Sequence, residues 1–150
     1  MKSWMSFDEI LDFAIDEEED AVKFYAELAE KAVHSSMRKV FLLFANEEEG
    51  HKLELIAVKE GKKFQPDNKE ILDLKISDYT VDVNIDHVES YEDALVVAMK
   101  KEEAACKLYL KLSEIVDSED AKSIFKALAH EEAKHKLHFE IAYDDMLKEN

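Results

Sequence analysis

Two patterns of apolar and polar positions run along this chain, and each occurs twice. Leu11, Ala14, Ile15, Ala21, Val22, Tyr25, Leu28 and Ala29 recur at the spacing of a helix with one buried stripe, and Leu95, Ala98, Met99, Ala105, Cys106, Tyr109 and Leu112 repeat that stripe. A second stripe, Phe41, Phe44, Ala45 and Leu55, returns as Phe125, Leu128, Ala129 and Phe139. The spacing predicts four amphipathic helices over 6–33, 36–60, 90–116 and 119–148. Ser6 with Glu9 forms a capping box, and Ser90 with Asp93 reads as a second N-cap with an acidic first turn. Breaks fall at His34 to Ser36 and near Asp117 and Ser118.

The repetition is a register, not a resemblance of composition. An offset of 84 aligns Ser6 to Ala57 with the later part of the chain without a gap, so that SFDEIL falls on SYEDAL, AIDEEEDAVKFY on AMKKEEAACKLY and FLLFANEEEGHKL on FKALAHEEAKHKL. Short connections within each half force antiparallel helix hairpins. The stretch 61–89 between the hairpins holds the sole proline, Pro66, and in it Tyr79, Val81, Val83 and Ile85 alternate with Thr80, Asp82 and Asn84. That period predicts an extended strap with one face buried, long enough to run from one end of a bundle to the other. The expected architecture is all-α: a single domain over 1–150, a four-helix bundle made of hairpin 6–60, crossover 61–89 and hairpin 90–148.

Composition agrees and narrows the functions. Two glycines and one proline in 150 residues suit helices. Thirty-six acidic against twenty basic residues give a formal charge of -16, which repels polyphosphate, so no nucleic-acid partner is expected. No apolar run approaches the roughly 18 to 20 residues that span a bilayer, and the amino terminus lacks the apolar core of a signal peptide; no membrane partner and a cytoplasmic location are expected. Cys106 is the single cysteine, which excludes an internal disulfide, and it reads as a small buried apolar residue. Neither a glycine-rich phosphate loop nor a Ser-His-Asp pattern occurs.

Candidate chemistry comes from where the helical period places four glutamates. Glu48 lies seven residues after Phe41, four after Phe44 and three after Ala45, at the middle of an apolar stripe, and His51 shares that face. The same arithmetic selects Glu132 and His135. Glu18 stands between Ala14, Ala21 and Tyr25, as Glu102 does between Ala98, Ala105 and Tyr109. Four ionised carboxylates in a core would cost more than the roughly 5 to 15 kcal/mol by which a domain is stable, unless protons or cations neutralise them. No lysine or arginine shares the inner positions, whereas two divalent metals would balance the charge. Oxygen-rich coordination with one imidazole per metal suits iron, with manganese as the alternative ion. Tyr25 and Tyr109, on the same inner stripes, read from the residues alone as core packing. His130, His138, His34 and His87, and Glu17, Glu19, Glu47, Glu49, Glu103 and Glu131, are expected at the surface.

One Glu from each of two helices with Glu-x-x-His from each of the other two is the ligand set of ferritin-like di-metal proteins. On these motifs the sequence resembles the rubrerythrin branch of the ferritin-like superfamily, over both hairpins. The resemblance implies a ferritin-like bundle in which Glu18, Glu48, His51, Glu102, Glu132 and His135 hold two irons and Tyr25 and Tyr109 orient ligands. It further implies reduction of hydrogen peroxide, with electrons from an external donor such as a rubredoxin, because no C-x-x-C pair is present for a rubredoxin-type iron. Rubrerythrins usually carry a further glutamate three residues after the third-helix ligand, associated with iron movement during peroxide reduction; here Ala105 stands there. Oxidation of iron by dioxygen, as in a ferroxidase, and a helical interaction module without redox chemistry are the alternatives. A homodimer is expected.

Overall fold

A computed structural model describes residues 4–61, 72–81 and 85–149. Four helices, α1 (Phe7–Lys31), α2 (Ser35–Gly61), α3 (Tyr91–Ile115) and α4 (Glu119–Glu149), dominate it, each within three residues of its predicted bounds. The starts of α1, α3 and α4 are fixed by side chains that satisfy the free amides of a first turn. Ser6 Oγ accepts from Glu9 N at 3.1 Å while Glu9 accepts from Ser6 N at 3.2 Å, closing the capping box. Ser90 Oγ accepts from Asp93 N, but the Asp93 carboxylate reaches Glu89 N, one residue before the cap. Ser118 Oγ, accepting from Ala121 N, starts α4 in the same manner. Replacing Ser6 with Ala should cost about 1 kcal/mol, read as a lower urea midpoint at unchanged slope.

α1 packs on α2 and α3 on α4 as antiparallel hairpins. Their inner stripes form two apolar clusters. The first gathers Phe7, Ile10, Leu11 and Ala14 with Leu55, Leu108, Leu112 and Phe125, at the end of the bundle where α1 and α4 begin. The second gathers Phe24, Tyr25 and Leu28 with Phe41, Phe44, Leu95 and Phe139 at the opposite end. Between the clusters, at the level of Glu18, Glu48, Glu102 and Glu132, the interior turns polar while remaining buried.

The crossover departs from its predicted form. Leu72–Asp73 (β2) pairs antiparallel with Trp4–Met5 (β1), Trp4 opposite Asp73. Tyr79 ends one 3-10 turn (Ile76–Tyr79) and Ile85 begins another (Ile85–His87), so the extended alternation expected from Tyr79 to Ile85 fails at both ends. Thr80 is extended, with φ -110° and ψ 133°. Asp82, Val83, Asn84 and Pro66 lie outside the described residues. The strap itself is present: Leu74 and Tyr79 pack on the first apolar cluster, Ile85 and Val88 on the second, so the chain traverses the bundle's length.

Candidate metal centre

Each helix delivers its inner polar residue to the same level. Glu18, Glu48, Glu102 and Glu132 are at most 2% exposed, and His51 and His135 are buried beside them. Glu18, Glu48, His51 and Glu132 offer ligand atoms that all lie within 4.8 Å of one another, and so do Glu48, Glu102, Glu132 and His135. Glu48 and Glu132 belong to both groups. The arrangement is therefore two adjoining nests that share two carboxylates, with Glu18 and His51 closing one and Glu102 and His135 the other.

The distances express the helical register. His51 Nδ1 is 2.7 Å from Glu132 Oε1 across the bundle and 3.7 Å from both Glu18 and Glu48. His135 Nδ1 is 3.0 Å from Glu48 Oε1 and 3.5 Å from Glu102 Oε2. Close as they are, these atoms lack hydrogen-bond alignment: Glu18 Oε2, Glu48 Oε1, His51 Nδ1, Glu102 Oε2, Glu132 Oε1 and His135 Nδ1 are buried with no hydrogen-bond partner. One orphaned atom from each of six residues, all aimed at one volume, is what a pair of cations would satisfy. The donors fit the group, since four carboxylates and two imidazoles match divalent iron or manganese in charge and hardness.

Protons take up part of the charge when no metal is bound. Burial pushes the Glu18 and Glu132 carboxyls well above the usual range, reinforced by neighbouring Glu48 for Glu18 and by Glu102 and Glu48 for Glu132. Burial acts upward on Glu48 too, but contacts with Glu18, His135 and His51 outweigh it and hold that carboxyl low. Burial would lower the imidazoles; the surrounding carboxylates overcome it and raise His51 to about 10 and His135 to about 11. The metal-free cluster thus holds its protons jointly among these groups.

Both tyrosines reach across between hairpins. Tyr25 on α1 donates to Glu102 on α3 at 2.5 Å, and Tyr109 on α3 donates to Glu18 on α1 at 2.5 Å. Each hydroxyl takes one carboxylate oxygen and leaves the other facing the nests. Tyr25 also stacks on Phe139 with ring centroids 5.8 Å apart, so orienting and packing are one role.

Two residues assigned to the solvated face belong to the site. Glu47 accepts from His135 Nε2, which fixes that ring and leaves Nδ1 toward the cluster. Its position is about 100° from Glu48 on the side facing α4, a signal that emerges only once α2 and α4 are known to pack. Its twofold counterpart Glu131 pairs instead with Lys134. Glu17, half-buried, lines an opening between α1 and α3 with Ala21, Lys101, Ala105, Tyr79 and Val81. The opening ends at Glu18, Glu48, Glu102 and Glu132 and encloses about 30 Å³, room for a molecule the size of water or peroxide. The remaining assignments agree with the sequence: His34, His87, His130 and His138 are exposed. Glu19 and Glu49 bind Lys52 at 2.6 and 3.1 Å, and Glu103 sits 3.6 Å from Lys107. Cys106 is only half-buried.

Comparison with known proteins bears on the same residues. A model of the family described as Rubrerythrin matches residues 9–92 and again 93–150, dividing the chain between its hairpins. No curated protein sequence matches significantly. Among solved structures, a hypothetical protein from Pyrococcus furiosus is similar at 29% identity and a TM-score of 0.75, covering 95% of this chain and 91% of that one. A protein from Thermotoga maritima described as ferritin-like and diiron-carboxylate is similar at 21% identity and a TM-score of 0.82, covering 97% of this chain and 99% of that one. The fold is accordingly the ferritin-like four-helix bundle.

Proposed function

The chain belongs to the rubrerythrin family, and from that premise we propose that it is a di-iron redox protein that reduces hydrogen peroxide with electrons from an external donor. The observation that carries this reading is the pair of adjoining nests sharing Glu48 and Glu132, with one unpartnered atom from each of six residues turned inward. The likeness to a protein described as diiron-carboxylate supports iron, with manganese as the alternative ion.

When bound, two ferrous ions would supply one electron each, so that peroxide with two protons becomes two waters. The chain's own residues set the conditions. Tyr25 and Tyr109 hold Glu102 and Glu18 in place, and Glu47 holds His135. The opening beside Ala105 admits a small oxidant, while the apolar clusters on either side keep bulk water out. Protons come from bound water or from a ligand carboxyl group. An external carrier such as a rubredoxin would return the electrons. A cytoplasmic location belongs to the same reading; among the described residues no helix is long and apolar enough to cross a membrane.

Ala105 favours a second reading. With no carboxylate at that position, the opening lacks the group that rubrerythrins associate with peroxide reduction, and a ferroxidase that oxidises iron with dioxygen becomes the alternative. Stopped-flow absorbance of anaerobic Fe(II)-loaded protein separates them. Faster oxidation by peroxide than by dioxygen is expected. Equal rates with release of ferric iron would indicate the ferroxidase, and no oxidation by either would leave a metal-binding helical module without redox chemistry.

A further inference from the structure

The two ends of the bundle differ where the repeat would make them alike. At the end where α1 passes to α2, two open cavities of about 320 and 190 Å³ adjoin, sharing Met37, Phe41 and Tyr91. The larger reaches the size at which pockets take small molecules, about 300 Å³ and above. Its floor is Phe41 and Tyr91 and its wall Leu28 and Val88. Val33 at its rim is 86% exposed, against 47 to 56% for the other exposed large apolar residues among those described.

Aromatic rings run from that floor to the metal centre. Tyr91 meets Phe41 at 6.5 Å between centroids, Phe41 meets Phe139 at 6.4 Å, Phe139 meets Phe44 at 5.0 Å, and Phe44 stacks on His135 at 4.3 Å. Phe41 also stacks on Tyr25, whose hydroxyl holds Glu102. Along α2, Phe41 and Glu48 are seven residues apart, about 10 Å at the helical rise. The opposite end is the control. In the register of 84, Tyr91, Phe41, Phe139 and Phe44 correspond to Phe7, Phe125, Leu55 and Leu128, so there the rings stop at the Phe7 and Phe125 pair and leucines intervene before His51.

Charge follows the same asymmetry. Lys31, Arg38 and Lys39 stand at the α1–α2 turn of a chain whose formal charge is -16. Lys31 lines the larger cavity, and Arg38 donates at 3.4 Å to the carbonyl of Ala32, which lines it too. At the matching turn of the second hairpin only Arg38 has a basic counterpart, Lys122, while Asp117, Glu119 and Asp120 replace Val33, Ser35 and Ser36. An aromatic floor, a cationic lip and a packed route to the centre together describe a planar carrier with an anionic tail that yields electrons singly. A flavin does this, whereas a nicotinamide transfers hydride. We propose that the cavity at the α1–α2 turn binds flavin mononucleotide, its ring on Phe41 and Tyr91 and its phosphate at Lys31 and Arg38, and that, on the di-iron reading above, the electrons for peroxide reduction enter there. Reduced flavin gives two electrons, its two protons pass to solvent, and two ferric ions become ferrous.

Fluorescence titration of flavin mononucleotide with the full metal-free chain tests the site apart from the iron. Micromolar binding with quenched flavin emission is expected, and riboflavin, which lacks the phosphate, should bind at least about tenfold more weakly. Lys31→Gln with Arg38→Gln should lower flavin mononucleotide to the affinity of riboflavin and leave riboflavin unchanged. Met37→Trp, which fills both cavities, should abolish binding of either, with helicity and metal content as in the parent. Lys122→Gln, at the other end, should change neither. In anaerobic stopped flow, reduced flavin mononucleotide should reduce the ferric parent at least about tenfold faster than Met37→Trp, while dithionite reduces both alike. Absence of binding by the parent, equal affinity for riboflavin, or binding untouched by the Lys31 and Arg38 changes would overturn the flavin site and leave the peroxide reading standing. Binding without faster reduction would overturn the electron entry, and a chain that holds flavin but no iron would overturn the di-iron reading with it.

Discussion

Glu48→Ala and Glu132→Ala should each lose most of the metal from both positions, whereas Glu18→Ala and Glu102→Ala should each lose about half. The difference follows from membership of the nests: Glu48 and Glu132 lie within 4.8 Å of the ligand atoms of both, but Glu18 and Glu102 serve one each. Elemental analysis should give about two metals per chain for the parent, well under one for the shared-carboxylate variants and about one for the others. Circular dichroism should find all four variants helical, since the two apolar clusters are untouched. Equal losses across the four variants would remove the case for shared carboxylates.

The second large effect is on pH. In the metal-free protein His51 and His135 are raised from 6.5 to about 10 and about 11. A group whose proton is held more tightly in the folded state contributes stability that is complete below its unfolded pKa and disappears as pH rises through the folded one. Stability of the metal-free protein should therefore fall between about pH 6.5 and 11, and the raised carboxyls of Glu18 and Glu132 act in the same direction, starting lower. Glu48, held low, acts oppositely, but its contribution is lost only in acid. Metal binding must displace these protons. Thermal unfolding with and without metal should show a stabilisation that widens as pH rises, and calorimetry in buffers of different ionisation enthalpy should detect proton release on loading. A metal-induced stabilisation independent of pH would contradict the protonated cluster.

The placement of the six inner residues was legible because the sequence states it twice. A single Glu-x-x-His on a charged helix is ambiguous, but the 84-residue register makes Glu48 and His51 predict Glu132 and His135, and the structure brings all of them together. Helix bounds were legible for the same reason, from Ser6 and Ser90 as caps. What one helix cannot announce is its neighbour. Glu47 and Glu17 are edge residues whose fate depends on which helix packs beside them, and both were read as solvated. The strap failed differently: Tyr79 and Ile85 do pack on the apolar clusters, but Tyr79 closes one 3-10 turn and Ile85 opens another, and the period of two between them carries no sign of either turn.

The crossed tyrosines carry a last consequence. Tyr25 secures a carboxylate of the second hairpin and Tyr109 one of the first, so neither half of the duplication completes its own share of the centre. The centre is a property of the seam. A lone hairpin, for all that it repeats the motif, would become competent only by clasping another, and any slippage along the joint is felt at both ends of the clasp together.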